Sequence, residues 1–209
     1  RDHYAELRAA GAATVYGLSS QSTDYQAELV ERLELPFEIL SDSGHELARA
    51  LELPSTGGAD VALDELGPGR SVLYVYPMTG QPGVDLPEGW NQIPGARGCT
   101  PEACGFRDHY AELRAAGAAT VYGLSSQSTA YQAELAGRLG LPFEVLSDPG
   151  HELAGALNLP TFTAGGERLY KRLTLIIADG RIEHVFYPIF PPDEHAAQVL
   201  GWLAAHPAG

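Results

Sequence analysis

The opening 54 residues of this chain recur almost unchanged farther along it. Residues 1–54 align without a gap with residues 107–160, and only eight positions differ. Each copy alternates helical periodicity with short apolar runs, in the order helix, strand, helix, strand, helix, and strands separated by such helices form parallel sheets. A solenoid needs several stacked repeats, whereas these two copies are separated by 52 unrelated residues. The sequence therefore predicts an α/β protein that carries a partial duplication of one segment.

The composition is typical of a folded, acidic protein. The chain has 209 residues, 44% of them hydrophobic, and a formal net charge of −14 at pH 7. The acidic excess argues against a nucleic-acid partner, which needs clustered cations, and against an anionic membrane surface. No apolar run approaches the roughly 18 residues of a membrane span. The first residues lack a signal-peptide pattern, and we expect a cytoplasmic protein. The alternative of a leader that has been removed stays open, because the chain begins with Arg1 and not with Met.

The second copy has flanking segments that the first copy lacks. The apolar run SVLYVYP at 71–77 predicts a buried central strand before it, and one helix is expected from about residue 100 to 116. After it, two strands are expected on either side of Asp179-Gly180, a strong hairpin signal, and an amphipathic helix follows. The resulting order, β-α-β-α-β-α-β-β-α, is thioredoxin-like and predicts a three-layer sandwich with a mixed central sheet. Residues 53–66 predict an additional polar hairpin ahead of it.

Both cysteines lie in one short stretch, at Cys99 and Cys104. Cys99 stands between a Gly/Pro-rich loop and a predicted helix, with Thr100 as its N-cap. The positive end of a helix dipole lowers the pKa of a thiol placed there. A thiolate is a nucleophile, so the context favours a catalytic cysteine over a small buried core residue.

The spacing of the two cysteines favours a redox switch. On a helix, residues five apart point about 140° apart with a rise of about 7.5 Å, and a disulfide needs Cα atoms within about 6.8 Å. Cys99 and Cys104 can therefore bond only if the first turns of the helix unwind. In that case Cys99 is oxidised to sulfenic acid and Cys104 attacks it. The alternative is that Cys104 is an inert core residue.

Several motifs together resemble one known family. The segment GCTPEACGFRD at 98–108, after YVYP and a Pro/Gly-rich loop, resembles the Q-type peroxiredoxins of the bacterioferritin comigratory protein group. LPFEVLSD at 141–148 and KRLTLIIADGRI at 171–182 follow in the family's order, and the resemblance extends over about residues 51–206. It implies a thioredoxin-like, atypical two-cysteine peroxidase that reduces hydrogen peroxide and organic hydroperoxides. It also implies an intramolecular disulfide, re-reduced by a thioredoxin-type dithiol protein, and no bound cofactor.

The resemblance assigns roles to individual residues. Cys99 becomes the peroxidatic cysteine, Cys104 the resolving cysteine, and Arg172 the active-site arginine that stabilises a thiolate and orients peroxide oxygens. The expected substrate-binding residues are Gly98, Thr100, Glu102, Pro77 and Thr79, the last two by folding back towards the cysteine.

The chain departs from the family pattern just ahead of Cys99. The family places a hydroxyl residue three positions before the cysteine, where this chain has Ala96. Fifteen extra residues, 84–98, also separate the family-like segment from the cysteine. We expect Leu86 and Trp90 in this insertion to cap the pocket or to form a partner surface.

Other kinds of site find little support. Seven histidines do not predict a metal site, because the duplication accounts for two pairs of them and no Cys-x2-Cys or His-x3-His pair exists. A Cys-x-x-Cys motif, a phosphate loop and a dinucleotide fingerprint are also missing. Two alternatives stay open: a thiol–disulfide oxidoreductase or redox sensor without useful peroxide turnover, and a non-enzymatic thioredoxin-fold interaction module.

Two parts of the chain are expected to differ in function. Residues 51–209 form the peroxiredoxin-like domain, whereas residues 1–50 contain no cysteine and are expected to be non-catalytic. The copy could pack on its own chain as an appendage, exchange into another protomer in place of residues 107–156, or stay partly ordered. We expect a monomer or a dimer, the dimer through this N-terminal duplicate.

Overall fold

The computed structural model describes residues 16–19, 31, 38–41 and 51–207. Within them the strands are, in chain order, β1 Tyr16–Ser19, β2 Glu38–Ser41, β3 Glu52–Pro54, β4 Asp60–Ala62, β5 Arg70–Val75, β6 Ala118–Ser125, β7 Val145–Ser147, β8 Thr161–Ala164, β9 Glu167–Tyr170, β10 Leu173–Ala178 and β11 Arg181–Phe186. The α-helices are α1 Cys99–Asp108, α2 Tyr110–Ala115, α3 Thr129–Leu139, α4 Glu152–Leu157 and α5 His195–Ala205. Short 3-10 helices span Trp90–Gln92 and Pro192–Glu194.

A five-stranded mixed sheet forms the centre of the molecule. Its strand order is β11-β10-β5-β6-β7, with β5, β6 and β7 parallel and β10 and β11 antiparallel to their neighbours. Every residue of β5 is buried, as the apolar run predicts for a central strand. The predicted α/β class with a mixed sheet is confirmed.

The sheet separates two apolar cores, because successive side chains of a strand point to opposite faces. On one face, Val72 and Tyr74 of β5 are covered by α1, α2, α3 and α5. On the other face, Leu73 and Val75 are covered by the β3–β4 hairpin and α4. The covering side chains are Phe106, Leu113, Leu135, Val199 and Leu203 on the first face and Leu53, Leu63 and Leu153 on the second. These layers are the predicted three-layer sandwich.

Both predicted hairpins are present. Strands β3 and β4 pair antiparallel within the polar segment 53–66. Strands β10 and β11 also pair antiparallel, and Asp179 and Gly180 between them have φ angles of 50° and 69°. Aspartate tolerates and glycine favours this left-handed backbone, which the tight turn requires.

The helix predicted from about residue 100 to 116 is two helices, α1 and α2, and it begins earlier. The break lies at His109, among weak helix formers. The N-cap of α1 is Gly98 rather than Thr100, because the left-handed φ of 99° at Gly98 lets the helix begin at Cys99. A further difference is the β8–β9 hairpin, which turns at the left-handed Gly165 and Gly166 and was not predicted.

The first copy of the duplicated segment repeats one strand pairing of the second. β1 and β2 pair in parallel with Gly17 opposite Ile39 and Leu18 opposite Leu40. β6 and β7 pair at the equivalent positions, with Gly123 opposite Val145. Apart from Glu31, which is helical, the predicted helices of the first copy lie outside the described residues. In the described part of the chain, no helix combines the length and apolar content needed to cross a membrane.

Candidate active site

Cys99 is the first residue of α1 and lies at the floor of a cleft. Its side chain is 4% exposed. Nη2 of Arg172 donates a hydrogen bond to its sulfur at 3.2 Å, and the thiol itself donates to the carbonyl oxygen of Ala96 at 3.5 Å. The backbone N–H of Met78 also donates to this sulfur. Two hydrogen-bond donors and one acceptor, from three different parts of the chain, therefore orient the sulfur.

Arg172 connects the cysteine to its surroundings from the short segment between β9 and β10. The side chain is buried, and its Nη1 donates to the carboxylate of Glu102 on α1. Its Nη2 also donates to the backbone carbonyls of Arg97 at 3.0 Å and Gly95 at 3.4 Å. One guanidinium thus fixes the start of α1 and the end of the inserted loop, residues 84–98, relative to the sulfur.

Glu102 is fully buried beneath Arg172. Its Oε1, like Nε of Arg172, has no hydrogen-bond partner in the described part of the chain. Burial raises the pKa of Glu102 to about 8, although the guanidinium of Arg172 opposes the rise.

The pKa of Cys99 differs from the sequence-based expectation. Burial raises the pKa of the thiol; the charge of Arg172 lowers it, and the carboxylate of Glu102 raises it further. The expectation of a lowered pKa is wrong for this conformation, because desolvation is the largest contribution and outweighs the guanidinium of Arg172.

Thr79 lies beside the cysteine, but its hydroxyl faces another residue. The Thr79 backbone N–H and hydroxyl both donate to Oε1 of Gln127, at 2.9 and 3.2 Å. Nε2 of Gln127 and the hydroxyl of Tyr131 donate back to the Thr79 carbonyl. Sequence reasoning missed Gln127 and Tyr131. Their one available signal was their place at the carboxyl end of β6, beside the central strand.

A cleft of about 190 Å³ opens onto the sulfur. Its lining includes Met78, Thr79, Gly80, Leu86, Trp90, Asn91, Ala96, Arg97, Gly98, Cys99, Thr100 and Pro101. Among the residues proposed from the sequence, Gly98, Thr79 and Thr100 thus share one cleft with the cysteine. Arg172 and Glu102 are buried behind it, and Pro77 is buried without lining it.

Gly98 is confined by Pro192, the first residue of the second 3-10 helix. A Cβ atom at this position would overlap Cγ of Pro192. Together with its left-handed φ, this close approach explains why the position requires glycine.

Cys104 lies apart from the cleft, five residues farther along α1. It is half-buried, and both cysteines are free thiols. The guanidinium of Arg107 lies beside its sulfur and also donates to the carbonyl oxygen of Leu139 at 2.9 Å. The intact helix keeps Cys104 and Cys99 from bonding, as their spacing predicts.

Comparisons with known proteins identify the family. Residues 51–200 match the family model described as Redoxin. Peroxiredoxin Bcp of Escherichia coli is 32% identical over 170 residues, which cover 77% of this chain and 95% of that protein. Chloroplastic peroxiredoxin Q of Arabidopsis thaliana is 29% identical over 154 residues, covering 73% of this chain and 63% of that protein.

Solved structures share the fold. Peroxidoxin BcpB of Mycobacterium tuberculosis superposes with a TM-score of 0.60 at 28% identity, covering 76% of this chain and 94% of that one. Peroxiredoxin Q of Xanthomonas campestris, at 24% identity, gives a TM-score of 0.61 over 76% of this chain and 92% of that one and supports the fold alone. The predicted thioredoxin-like sandwich is therefore confirmed. With a family model covering most of its length, this chain belongs to the redoxin family, among the peroxiredoxins related to Bcp and peroxiredoxin Q.

Proposed function

We propose that this peroxiredoxin reduces hydrogen peroxide and organic hydroperoxides with Cys99 as its peroxidatic cysteine. The thiolate of Cys99 attacks one peroxide oxygen, an S–O bond forms and the O–O bond breaks. The leaving oxygen takes up a proton and departs as water or an alcohol, and Cys99 becomes a sulfenic acid. The sulfur is oxidised by two electrons and the peroxide is reduced by two.

The observation that carries this proposal is the contact between Arg172 and the sulfur at the floor of an open cleft. The guanidinium has an N–H 3.2 Å from the sulfur of Cys99. A positive charge there favours the thiolate and then the negative charge that develops on the departing oxygen. The backbone N–H of Met78 supplies a second donor to the sulfur. The carbonyl oxygen of Ala96 is the first acceptor available to the thiol proton.

We propose that Cys104 resolves the sulfenic acid after the start of α1 opens. Cys104 attacks the sulfur of Cys99, an S–S bond forms and hydroxide leaves as water. Opening breaks the bond from the Glu102 N–H to the Gly98 carbonyl, which is 2.9 Å long. Phe106, one turn farther on, stacks on Tyr74 with ring centroids 4.4 Å apart. This stacking keeps the later part of α1 in place while its first turn unwinds.

A dithiol protein of the thioredoxin type would restore the two thiols by exchange with the disulfide. This proposal extends to the present chain the partner implied by its family resemblance. Residues 1–50 take no part in the reaction, since they contain no cysteine. A cytoplasmic location and a monomer or dimer stay predictions from the sequence.

Stopped-flow peroxide consumption by the full chain and by Cys99→Ser tests the peroxidase. We expect consumption by the unmodified chain and its loss in the variant. Disulfide exchange without peroxide consumption would favour an oxidoreductase, and neither activity would favour an interaction module.

Mass spectrometry after one equivalent of peroxide tests the resolving step. The unmodified chain should lose two hydrogens, whereas Cys104→Ser should complete the first oxidation and retain one oxygen. Undisturbed cycling of Cys104→Ser with a thioredoxin would contradict the role of Cys104.

A further inference from the structure

The inserted loop builds one wall of the cleft above Cys99. Leu86 and Trp90 from this loop line the cleft, together with Met78 from the segment after β5. The cleft is also lined by two polar residues, Thr79 and Thr100, although the Thr79 hydroxyl donates to Gln127. Polar and apolar residues therefore both line the cleft, and the reaction at the sulfur does not itself require the apolar ones.

The loop is held firmly enough for this wall to have a defined shape. Trp90 is 4% exposed and packs against Phe162 of β8, with ring centroids 6.2 Å apart. Pro87 lies so close to Gly165 in the β8–β9 turn that a Cβ there would be 3.1 Å from its ring. At its other end, the loop accepts hydrogen bonds from Arg172. The β8–β9 hairpin thus supports the loop, and the guanidinium of Arg172 contacts both the loop and the reacting sulfur.

Leu86 differs from the other apolar residues of the cleft because much of its surface faces solvent. Its side chain is 42% exposed, whereas Trp90 is buried. It approaches Gly80 across the cleft, where a Cβ would lie 3.3 Å from its Cδ2. Exposed apolar area of this kind is removed from water when an apolar ligand group enters, and that transfer is favourable.

The size of the cleft also exceeds what hydrogen peroxide needs. Its volume is about 190 Å³, whereas a cavity that holds a single water molecule needs only about 10–15 Å³. The cleft therefore has room for a group larger than hydrogen peroxide, and Leu86 and Trp90 are among the residues that such a group could contact.

We propose that Leu86 is a specificity-determining residue, which favours hydroperoxides that carry a bulky apolar group by contacting that group. The proposal rests on the proposed peroxidase function. Val84 provides a matched control, because it is also an exposed apolar residue of the inserted loop, 60% exposed, but does not line the cleft above Cys99.

The test measures kcat/KM for cumene hydroperoxide and for hydrogen peroxide in four variants of the full chain. Leu86→Ala and Leu86→Gln should each lower the ratio of the two values about three- to tenfold, because both remove apolar contact area. Leu86→Met, which stays apolar and similar in size, should keep the ratio, and so should Val84→Ala. The lower ratio should come from a rise in KM for cumene hydroperoxide, with kcat unchanged, since Leu86 contacts no reacting atom.

An unchanged ratio in Leu86→Ala would overturn the proposal. An equal fall in Val84→Ala would also overturn it, because the effect would then belong to the loop as a whole. If the unmodified chain consumed neither peroxide, the proposed function itself would fail, and that outcome is distinct from a peroxidase whose preference does not depend on Leu86.

Discussion

Arg172 donates a hydrogen bond to the sulfur of Cys99 from a position where both side chains are at most 4% exposed. The two residues are 73 positions apart in the chain, and the fold brings them together behind one cleft. Because both side chains are buried, the guanidinium charge acts on the sulfur without screening by solvent. The pairing also exposes Cys99 to the carboxyl group of Glu102, which contacts the same guanidinium.

Replacing Arg172 by alanine should slow the oxidation of Cys99 by about 10²- to 10³-fold, the usual cost of removing one donor from a developing oxyanion. Stopped-flow measurement of the first oxidation at pH 7 gives this rate. Lys171→Ala serves as the control, because the neighbouring lysine makes no side-chain contact with the sulfur in the described part of the chain. An unchanged rate in Arg172→Ala would assign charge stabilisation to another group.

Replacing Glu102 by glutamine should lower the pKa of Cys99. The negative carboxylate raises the pKa of the thiol, and glutamine keeps an oxygen that can accept from Arg172 while removing the charge. The thiolate absorbance of the variant should therefore appear at lower pH than in the unmodified chain. Glu112→Gln, an exposed carboxylate on α2, should leave the titration of Cys99 in place. A shift to higher pH would contradict this prediction. It would show that the glutamine weakens the contact of Arg172 with Cys99 by more than the loss of the carboxylate charge stabilises the thiolate.

His195 should make the folded state less stable as the pH falls from about 6.5 towards 4. Burial lowers the pKa of His195 to about 4, so the unfolded chain binds its proton at higher pH than the folded chain does. The stabilisation from the neutral imidazole is fully present above the pKa of histidine in the unfolded chain. It is lost, by about 3 kcal/mol, as the pH falls towards the pKa of His195 in the folded chain. The imidazole lies between the rings of Phe106 and Phe186, with its Nε2 2.8 Å from Oγ1 of Thr174.

Urea unfolding at pH 5 and pH 7.5 measures this dependence. His195→Gln should be less stable than the unmodified chain at pH 7.5 and should lose less stability on acidification. His109→Gln, at the more accessible break between α1 and α2, should keep the dependence. If both variants lost stability on acidification as the unmodified chain does, the pH dependence would come from another group.

Removing residues 1–50 should leave the rate of peroxide consumption within about twofold, since every strand of the central sheet follows residue 51. The stopped-flow rate and the thermal unfolding midpoint of the shortened and full chains give the comparison. A shortened chain that folds but does not turn over would show that the first copy contributes to the site.

Much of the fold could be predicted from local pattern. The apolar run at 71–77, the Asp179-Gly180 turn and the alternation of helices and strands each correspond to an element of the structure. The β8–β9 hairpin escaped prediction because its strands are only four residues each. Such short strands draw much of their stability from packing, here against the inserted loop, and packing is not visible in periodicity.

The site could be predicted less fully. The sequence placed Cys99 just ahead of a helix capped by Thr100, whereas the helix begins at Cys99 itself, after Gly98. It also indicated that Cys104 is out of reach, because that statement depends only on helix geometry. It did not indicate that the Thr79 hydroxyl bonds Gln127, since that contact joins residues 48 apart. Nor could it give the pKa of Cys99.

By itself, the sequence determined the order of most helices and strands, the two apolar faces of the sheet, the duplication and the spacing of the two thiols. These depend on neighbouring residues and on the periods of the helix and the strand. Only the tertiary structure decided that the inserted loop covers Cys99, that Arg172 links the sulfur to Glu102, and that burial raises the pKa of the thiol. Contacts between distant residues and the loss of water around a charge arise when the chain packs, so no local pattern contains them.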